Sequence, residues 1–404
     1  AERVEVIRGP FSAVFGSASG GVINIRSEDG PETPFISGRL NIGSDDYRQA
    51  QAKAGGQSGR LNWLGKFSAT EQVGYRDHAA YESRLFNSKF RYEFDETAGL
   101  TVVINAVDSP MADDPGGLNA RELEEDRRQA APRNLLYNAG EALDQQSLGV
   151  AFRKKFGANR ELMLRNYYVQ RDFTNRLPFD VNSNGQGGSV DLDRKVAGLG
   201  GNFTWTSELG SHSNQLVIGF DYDAQRDHRQ RFANNQGVLG DLTTNQDEDV
   251  TTTGLYLQDV LSLSDSATLT LGGRFDEVKY KVTDRTGVSG TGQRTFREFS
   301  PMAGINWTVR DAVNLYVNIS SSFDPPATTE LANPDGPTGF NQDLESQTAT
   351  NYELGMKGLI TGSLRYEVAL FHIDVKDEIV PFELEGSGQS FFENAGSSTR
   401  DGLE

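Results

Sequence analysis

Apolar and polar residues alternate with a period of two through most of this chain, which is the pattern of β-strands with one apolar and one polar face. The apolar positions of the clearest segments are Phe86, Phe90, Tyr92, Phe94, Leu216, Ile218, Phe220, Tyr222, Leu269, Leu271, Phe275, Val313, Leu315, Val317, Ile319 and the stretch Leu364 to Leu370. Helical periodicity is nearly absent. The segments reach the length of about nine to eleven residues that a tilted strand needs to cross a bilayer. The pattern therefore predicts an all-β protein with long strands.

The connections between these segments alternate between short and long. Tight joins are expected near residues 57–60, 95–98, 157–160, 208–213, 264–267, 310–311 and 359–362. Long polar connections are expected near residues 72–83, 108–143, 173–193, 228–249, 281–296, 324–346 and 376–398, with one short join on the long side near 44–46. This alternation predicts an antiparallel up-and-down meander with turns on one rim and loops on the other. We expect about fifteen strands from Ile36 to Asp377 and one more from near Thr399.

The composition fits either a soluble protein or a transmembrane barrel. The mean hydropathy is −0.53, and the sequence contains no run of about eighteen or more apolar residues, the length of a transmembrane helix. A barrel has an unremarkable average because lipid-facing and lumen-facing residues alternate. We expect the rings near segment ends to form interfacial girdles, for example Trp63, Trp205, Tyr280 and Trp307.

The charge and residue types exclude several function classes. The net charge is −18, with 57 acidic and 39 basic side chains, which argues against nucleic acid or anionic lipid as a partner. There is no cysteine, so the chain has neither disulfides nor thiolate metal ligands. The four histidines are far apart without ligand spacing, and no acid–base constellation stands out. We therefore expect no enzyme and no intrinsic cofactor.

The first twenty-six residues predict a compact hairpin. The short strand Val4–Ile7 is broken by Gly9-Pro10, and a run of small residues, 16–21, leads into a second strand, Val22–Ile25. No Lys follows the glycines, as a phosphate loop requires, and Ala18 stands where a nucleophile elbow needs Ser. The bland alternative is a hairpin that only packs in a sheet.

The opening residues resemble a segment of a known protein family. The stretch Arg3-Val-Glu-Val-Ile-Arg-Gly-Pro10, with Phe15-Gly16 and Gly20-Gly-Val-Ile-Asn-Ile25, resembles the end of the plug domain in TonB-dependent outer-membrane receptors. Two later stretches, 351–357 and 392–404, resemble a barrel strand of that family and the loop and strand start that follow it. The resemblance implies a transmembrane barrel of roughly 22 strands around a plug.

We expect this chain to be a fragment of a longer protein, from the end of the plug through most of the barrel. The predicted division is residues 1–30 for the C-terminal part of the plug domain, 31–35 for a linker and 36–404 for a partial barrel. About six or seven strands would be missing, and the open edge would make the fragment aggregation-prone by itself.

The resemblance also implies a plug–barrel lock. The family's Arg before Gly-Pro corresponds to Arg8, and the barrel glutamates that pair with it correspond to Glu353 and Glu404. A guanidinium in a lumen needs carboxylates, and such pairs would hold the plug in one orientation. The alternative is a solvated surface Arg8.

A loop from Phe179 to Asp193 imitates a calcium site. Asp180, Asn182 and Asn184 occupy alternate positions before a glycine, and Asp191 stands at the twelfth position. The last ligand is Asp rather than Glu, and turns are also rich in Asn and Gly. We expect a weak calcium site here or an ordinary turn.

An acidic loop, residues 113–133, also contains arginines. In the sharper hypothesis, Arg127, Arg128 and Arg133 bind an anionic ligand at the outer mouth, and Tyr137 adds a stacking surface. The alternative is an ordinary solvated, charged loop.

The resemblance implies an energy-coupled receptor in the bacterial outer membrane that transports a metal chelate, most often a ferric siderophore. The expected partners are a TonB-type inner-membrane protein, acting through a segment outside this chain, the chelate and outer-membrane lipid, with the receptor as a monomer. The alternatives are a passive porin-like channel, a receptor of the same family for vitamin B12, carbohydrate or copper, and a soluble β-sandwich binding module.

Overall fold

The computed structural model describes residues 2–8, 13, 16–181, 187–210, 212–286, 291–310, 313–333, 340–360, 364–383 and 390–404. Two short strands open the chain, β1 (Arg3–Arg8) and β2 (Gly21–Arg26), and pair antiparallel in a sheet of their own. We refer to them as the hairpin. Among the described residues, no helix has the length and apolar character required to cross a membrane.

A single antiparallel sheet contains most of the described chain. It has 16 strands, each hydrogen-bonded to its neighbours in chain order. The strands are β3 (Phe35–Ile42), β4 (Arg48–Ser58), β5 (Leu61–Gln72), β6 (Tyr81–Asp95), β7 (Ala98–Asp113), β8 (Gly140–Lys155), β9 (Arg160–Arg176), β10 (Ser189–Leu209), β11 (His212–Asn235), β12 (Val238–Ser264), β13 (Ala267–Asp284), β14 (Gly292–Arg310), β15 (Val313–Asp324), β16 (Gln347–Ile360), β17 (Leu364–Lys376) and β20 (Ser397–Leu403). Fifteen consecutive strands and a sixteenth near Thr399 agree with the count predicted from periodicity.

Smaller elements lie in the long connections. Between β7 and β8 are two short helices, α1 (Ala120–Glu125) and α2 (Pro132–Leu136). Asn119 and Glu122 form a capping box at the start of α1, and proline stands in the first turn of α2. Between β17 and β20, the strands β18 (Ile379–Glu383) and β19 (Ser390–Asn394) form a separate two-stranded sheet.

The two faces of the large sheet are inverted relative to a globular protein. On β11 the outer face carries Ile218, Phe220 and Tyr222, which are 50%, 37% and 45% exposed, while Asp227 on the inner face is fully buried. Polar groups that are buried on the inner face of other strands include Asn62, Ser68, Glu248, Arg274, Asp276, Ser300, Ser320 and Asn351. An apolar band this large is stable only against lipid. The alternation predicted a lipid-facing barrel wall, and a soluble two-sheet sandwich does not fit one continuous sheet with this polarity.

The connections follow the predicted alternation with one correction. Residues 228–249 were expected to form a long loop, but β11 and β12 continue for 24 and 27 residues and meet in a tight turn at Gln236-Gly237. Cross-strand ion pairs replace apolar contacts in this extension: Arg226 Nε lies 2.8 Å from Asp249 Oδ1. The sequence analysis assigned this stretch to a loop because it is polar. In the structure, ion pairs between neighbouring strands extend the sheet beyond the apolar band. We call this rim of the sheet the loop end and the opposite rim the turn end.

A compact apolar cluster lies at the loop ends of β13 to β15. It contains Val278, Tyr280, Val282, Phe296 and Phe323 from the strands, together with Leu331, Phe340 and Leu344 from the connection after β15. The prediction of an outward girdle ring was therefore wrong for Tyr280, which is 8% exposed. Trp205 and Trp307 are about half exposed on the outer face, as expected for girdle residues.

Candidate functional site

The segment between the hairpin and the large sheet is anchored at the turn end. Asp29 forms an ion pair with Lys89, whose Nζ lies 2.7 Å from Asp29 Oδ1, and accepts a hydrogen bond from Arg91 at Oδ2. Glu28 lies 2.7 Å from Lys53 Nζ. Lys89 and Arg91 are two positions apart on β6, so both side chains lie on its inner face and can contact the same carboxylate. Residues 28–30 therefore hold the hairpin to β4–β6, and we call them the anchor.

Close backbone contact completes the anchor. The Gly30 amide donates to Asn62 Oδ1 at 2.9 Å, and Asn62 Nδ2 returns a hydrogen bond of 2.7 Å to the Gly30 carbonyl. A Cβ at Gly30 would overlap the Trp63 carbonyl, and one at Gly56 would lie 2.8 Å from Pro34. Burial raises the pKa of the Asp29 carboxyl, but Lys89 and Arg91 outweigh that effect and hold the pKa below its ordinary value. Asp29 is thus ionised at neutral pH, and the backbone of the anchor is closely packed against β4 and β5.

A belt of charged and aromatic side chains crosses the inner face of β9 to β13. At its centre is Arg274, which is 3% exposed. Its Nη1 donates to Asp221 at 2.8 Å, its Nε donates to Asp276 at 2.8 Å, and its guanidinium lies 5.4 Å from the Tyr256 ring centroid. Arg165 forms a second ion pair with Asp221. Two carboxylates thus compensate the buried cation, as burial of a charge requires.

Glycines make room for the belt and for the hairpin. A Cβ at Gly254 would overlap Arg274 Nη2. Gly16, which lies between the two hairpin strands, has φ +77°, and a Cβ built on it would lie 3.5 to 3.7 Å from Nη2, Cζ and Nε of Arg274. Three nearly equal distances place that position over the plane of the guanidinium. The hairpin reversal therefore lies against the belt.

The opposite side of the hairpin borders a cavity of about 940 Å³. Glu353 and Glu404 both line it, together with Val6 and Ile7 of β1. Tyr316 donates to Glu353 Oε1 at 2.7 Å, and Lys357 Nζ lies 5.5 Å from the Tyr316 ring centroid. The backbone of Arg8 pairs with Gly21, whereas its side chain lies outside the described part of the chain. The lock between Arg8, Glu353 and Glu404 stays a prediction.

The predicted ligand arginines lie on a folded loop. Arg76 holds this loop by donating to the backbone carbonyls of Gln129 at 2.9 Å and Pro115 at 3.0 Å. Arg128 lies over the Tyr75 ring at 4.7 Å and 3.5 Å from Asp45. The side chains of Arg127 and Arg133 are exposed, and Tyr137 is half-buried. Arg128 already has an aromatic and an acidic neighbour, so the four residues stay a predicted ligand surface.

The calcium prediction falls partly outside the described residues, because Asn182 and Asn184 are not among them. Asp180 Oδ1 accepts from the Asn234 amide at 2.8 Å, and Asp191 Oδ1 accepts from the Thr174 hydroxyl at 2.7 Å. In the described residues, no group of three or more His, Asp or Glu side chains is arranged to hold a metal. The site stays a prediction.

Sequence reasoning missed the anchor and the belt. The belt residues and the partners of the anchor are ordinary polar or charged residues on the polar faces of predicted strands, and the residues that they bind are far away in sequence. The available signal was glycine at inner-face positions, such as Gly200 and Gly254, where a strand gains nothing from glycine unless a large side chain lies across it.

The comparisons with known proteins agree with this geometry. Residues 29–404 match the family described as TonB dependent receptor-like, beta-barrel. The chain belongs to the TonB-dependent receptor family. The family recognised from the opening residues is therefore confirmed, as is the all-β antiparallel barrel fold. Family members are outer-membrane transport receptors and not enzymes, which confirms the predicted location in the bacterial outer membrane and the predicted absence of catalysis.

Individual relatives are distant in sequence. The metal-pseudopaline receptor CntO of Pseudomonas aeruginosa is 21% identical over 454 residues, covering 100% of this chain and 60% of CntO. The vitamin B12 transporter BtuB of Vibrio vulnificus is 26% identical over 416 residues, covering 100% of this chain and 58% of BtuB. The unliganded ferric citrate transporter FecA superposes with a TM-score of 0.80 at 19% identity, covering 99% of this chain and 60% of FecA. The chain thus spans about 60% of the length of these proteins.

Proposed function

We propose that this TonB-dependent receptor chain belongs to an energy-coupled transporter of a metal chelate, with a ferric siderophore as the cargo. One observation supports this most strongly: a hairpin lies against the polar inner face of a sheet whose outer face is apolar. An obstructed, water-lined lumen suits regulated transport, because a passive pore needs an open lumen. The relatives named for metal-pseudopaline and ferric citrate support a chelate as cargo.

The ligand is proposed to enter from the loop end. Arg127, Arg128, Arg133 and Tyr137 would form the first contacts, since guanidinium groups bind the carboxylate and catecholate oxygens of such chelates in several geometries. Further inside, Arg165 is half exposed on the inner face of β9. A chelate carboxylate could share Arg165 with Asp221 and so alter the belt against which Gly16 lies.

The lock is proposed to hold the plug in its resting orientation. In this proposal the Arg8 guanidinium reaches the cavity that Glu353 and Glu404 line. Energy coupling by a TonB-type inner-membrane protein would then release it. Replacing Glu353 with Gln in the full-length receptor should increase protease cleavage of the plug, whereas Glu367→Gln, on the same cavity wall, should not. Equal cleavage in both variants would contradict the lock.

The cargo is tested by growth. A strain lacking the gene, complemented with the full-length receptor, is grown under iron limitation with a panel of ferric siderophores and ferric citrate. We expect one ferric siderophore to restore growth only when the receptor and its TonB-type partner are present. If no iron chelate restores growth, the cargo assignment is wrong.

A second candidate cargo is vitamin B12, which the likeness to BtuB favours. B12-dependent growth of the same complemented strain would replace the siderophore proposal. Carbohydrate or copper would be detected by the corresponding limited media. Steady conductance of the full receptor in liposomes without energy coupling would favour the passive channel instead.

The remaining proposals concern calcium and assembly. Calorimetry of the full receptor should detect weak calcium binding that Asp180→Ala removes, and the absence of such binding would remove the site. The receptor is proposed to be a monomer surrounded by outer-membrane lipid, because the apolar outer face needs no protein partner in a bilayer.

A further inference from the structure

One buried asparagine contacts three separate connections at the loop end. Asn234, near the end of β11, is 3% exposed. Its Nδ2 donates to the Tyr137 carbonyl at 2.9 Å, in the connection between β7 and β8, and to the Leu177 carbonyl at 3.2 Å, in the connection between β9 and β10. Its Oδ1 accepts from the Gly237 amide at 2.8 Å, in the turn between β11 and β12. The side chain thus bridges segments that lie 97 and 57 positions away in sequence.

The main chain of Asn234 is fixed at the same place. Its amide donates to Asp180 Oδ1 at 2.8 Å. The ladder between β11 and β12 is irregular on both sides of Phe232, and bulges turn nearby side chains out of the regular alternation. Asparagine suits such a point, because its amide group carries two donor hydrogens and an acceptor oxygen. Backbone and side chain therefore both hold Asn234 between the three connections.

The same connections also contact one another directly. Arg176, at the end of β9, donates from Nε to the Asn138 carbonyl at 2.8 Å. Arg231 of β11 donates from Nη1 to the Gly187 carbonyl at 2.7 Å. The connections after β7, β9 and β11 therefore form one packed unit, which we call the block. Each strand from β7 to β12 has hydrogen-bonded neighbours on both sides, so the block does not lie at an edge of the sheet.

Little apolar packing holds the block together. The structure describes every residue between β7 and β8, and the buried apolar side chains of that connection are Ala130, Ala131 and Ala139. The loop ends of β13 to β15 differ, because the apolar cluster fills the space between them. In the block, hydrogen bonds from side chains must supply the cohesion. Removing a buried donor there leaves carbonyl groups unsatisfied, which costs more free energy than the hydrogen bond itself contributes.

We propose that Asn234 is a positioning residue for the outer mouth. By joining the connections after β7, β9 and β11, it fixes the loop that carries the predicted ligand arginines and Tyr137. This predicted ligand surface is then formed before cargo arrives, and a preformed site loses less conformational entropy on binding than a loop that orders around its ligand. The role in cargo binding rests on the proposed function, whereas the joining of the three connections does not.

The test is amide hydrogen exchange of the full-length receptor without cargo. The reporters are the backbone amides of Tyr137 and Leu177, which donate to carbonyls within their own connections. The variant Asn234→Asp removes both Nδ2 donor hydrogens but keeps the Oδ1 acceptor and the shape of the side chain. We expect both reporters to exchange about tenfold faster or more, while the Gly237 amide keeps its rate. A general loss of structure would accelerate all three amides.

The matched control is Asn119→Asp, the same substitution in the connection between β7 and β8. Asn119 caps α1 by accepting from the Glu122 amide, and Asp caps helices as well as Asn does. The two reporters should therefore keep their native rates. Reporters that keep their native rates in Asn234→Asp, or that accelerate equally in both variants, would overturn the proposal.

A second measurement uses the native receptor and needs no substitution. Exchange of the Tyr137 and Leu177 amides is followed at increasing denaturant, which measures the free energy of the opening that exposes each amide. We expect one shared opening, and clearly different openings would overturn the block. This result decides if Asn234→Asp fails to assemble or also accelerates the Gly237 amide. Neither measurement uses cargo or energy coupling, so their failure would remove the positioning role of Asn234 and leave the transport proposal standing.

Discussion

Removing the Asp29 carboxylate should release the anchor. Asp29 is 24% exposed, forms an ion pair with Lys89 at 2.7 Å and accepts a hydrogen bond from Arg91. A hydrogen bond between charged groups contributes about 1.5–3 kcal/mol, and solvent screening reduces the share of the 35% exposed Arg91. Asp29→Ala should therefore lower the free energy of local opening of the anchor by about 2–3 kcal/mol. It also leaves Lys89 and Arg91 side by side without a carboxylate between them.

Native-state amide hydrogen exchange of the full-length receptor measures this cost directly. The reporter is the Gly30 amide, which donates to Asn62 and exchanges only when the anchor opens. At 1.36 kcal/mol per tenfold change, Asp29→Ala should speed its exchange by roughly 30- to 160-fold. Amides in β9 to β12 should keep their wild-type rates, since the perturbation is local.

The matched control is Glu28→Gln. Glu28 is 44% exposed in its ion pair with Lys53, and such exposed pairs contribute about 0–1 kcal/mol, or roughly fivefold at most. Equal effects of the two substitutions, or an unchanged Gly30 rate in Asp29→Ala, would refute the assignment of the anchor to Asp29.

Three further predictions concern the anchor, the belt and the loop between β7 and β8. Folding lowers the pKa of Asp29 from 3.8, so the stabilisation from this carboxylate is fully present above that pH and is lost as the pH falls through the lower, folded-state pKa. Gly30 exchange, corrected for intrinsic rates, should therefore accelerate only below about pH 4. Acceleration near pH 6 would contradict this. Gly254→Ala should displace Arg274 and lower the denaturant midpoint of the full receptor. Gly149→Ala is the control: no atom lies within 4 Å of its Cβ position, and the substitution should lower the free energy of unfolding by at most a few tenths of a kcal/mol. Equal midpoints would argue against close packing of the belt. Arg76→Ala should free the loop between β7 and β8 and speed its tryptic cleavage on intact cells by about tenfold or more, while Arg121→Ala, 80% exposed, should not, and a resistant loop in Arg76→Ala would contradict the role of Arg76.

Local pattern was enough to predict the strands and their faces. Period-two alternation fixes which side chains share a face, so the exposure of Ile218 and Phe220 followed directly from the sequence. The number of strands followed from the same segments and their joins. The motif around Arg3–Ile25 predicted the hairpin and the family, because close backbone packing restricts the residues that fit there.

Contacts between distant parts of the chain were not predictable in this way. Asp29 and Arg91 are 62 positions apart, and Asp221 and Arg274 are 53 apart; nothing local distinguishes them from solvated charges. The extension of β11 and β12 was missed for a related reason. Its strands pair through Arg226 and Asp249 rather than through apolar residues, so hydropathy alone assigns the stretch to a loop.

A nitroxide scan along β11 of the full-length receptor in bilayers tests the central claim most directly. These 404 residues contain no cysteine, so single cysteines at positions 217–222 place one label at a time within them. We predict that labels at 218, 220 and 222 collide preferentially with oxygen dissolved in lipid, and that a label at 217, on the inner face, collides preferentially with a water-soluble nickel complex. Protection of 218 and 220 from both reagents, as in a dry protein core, would contradict a lipid-facing wall around a polar lumen.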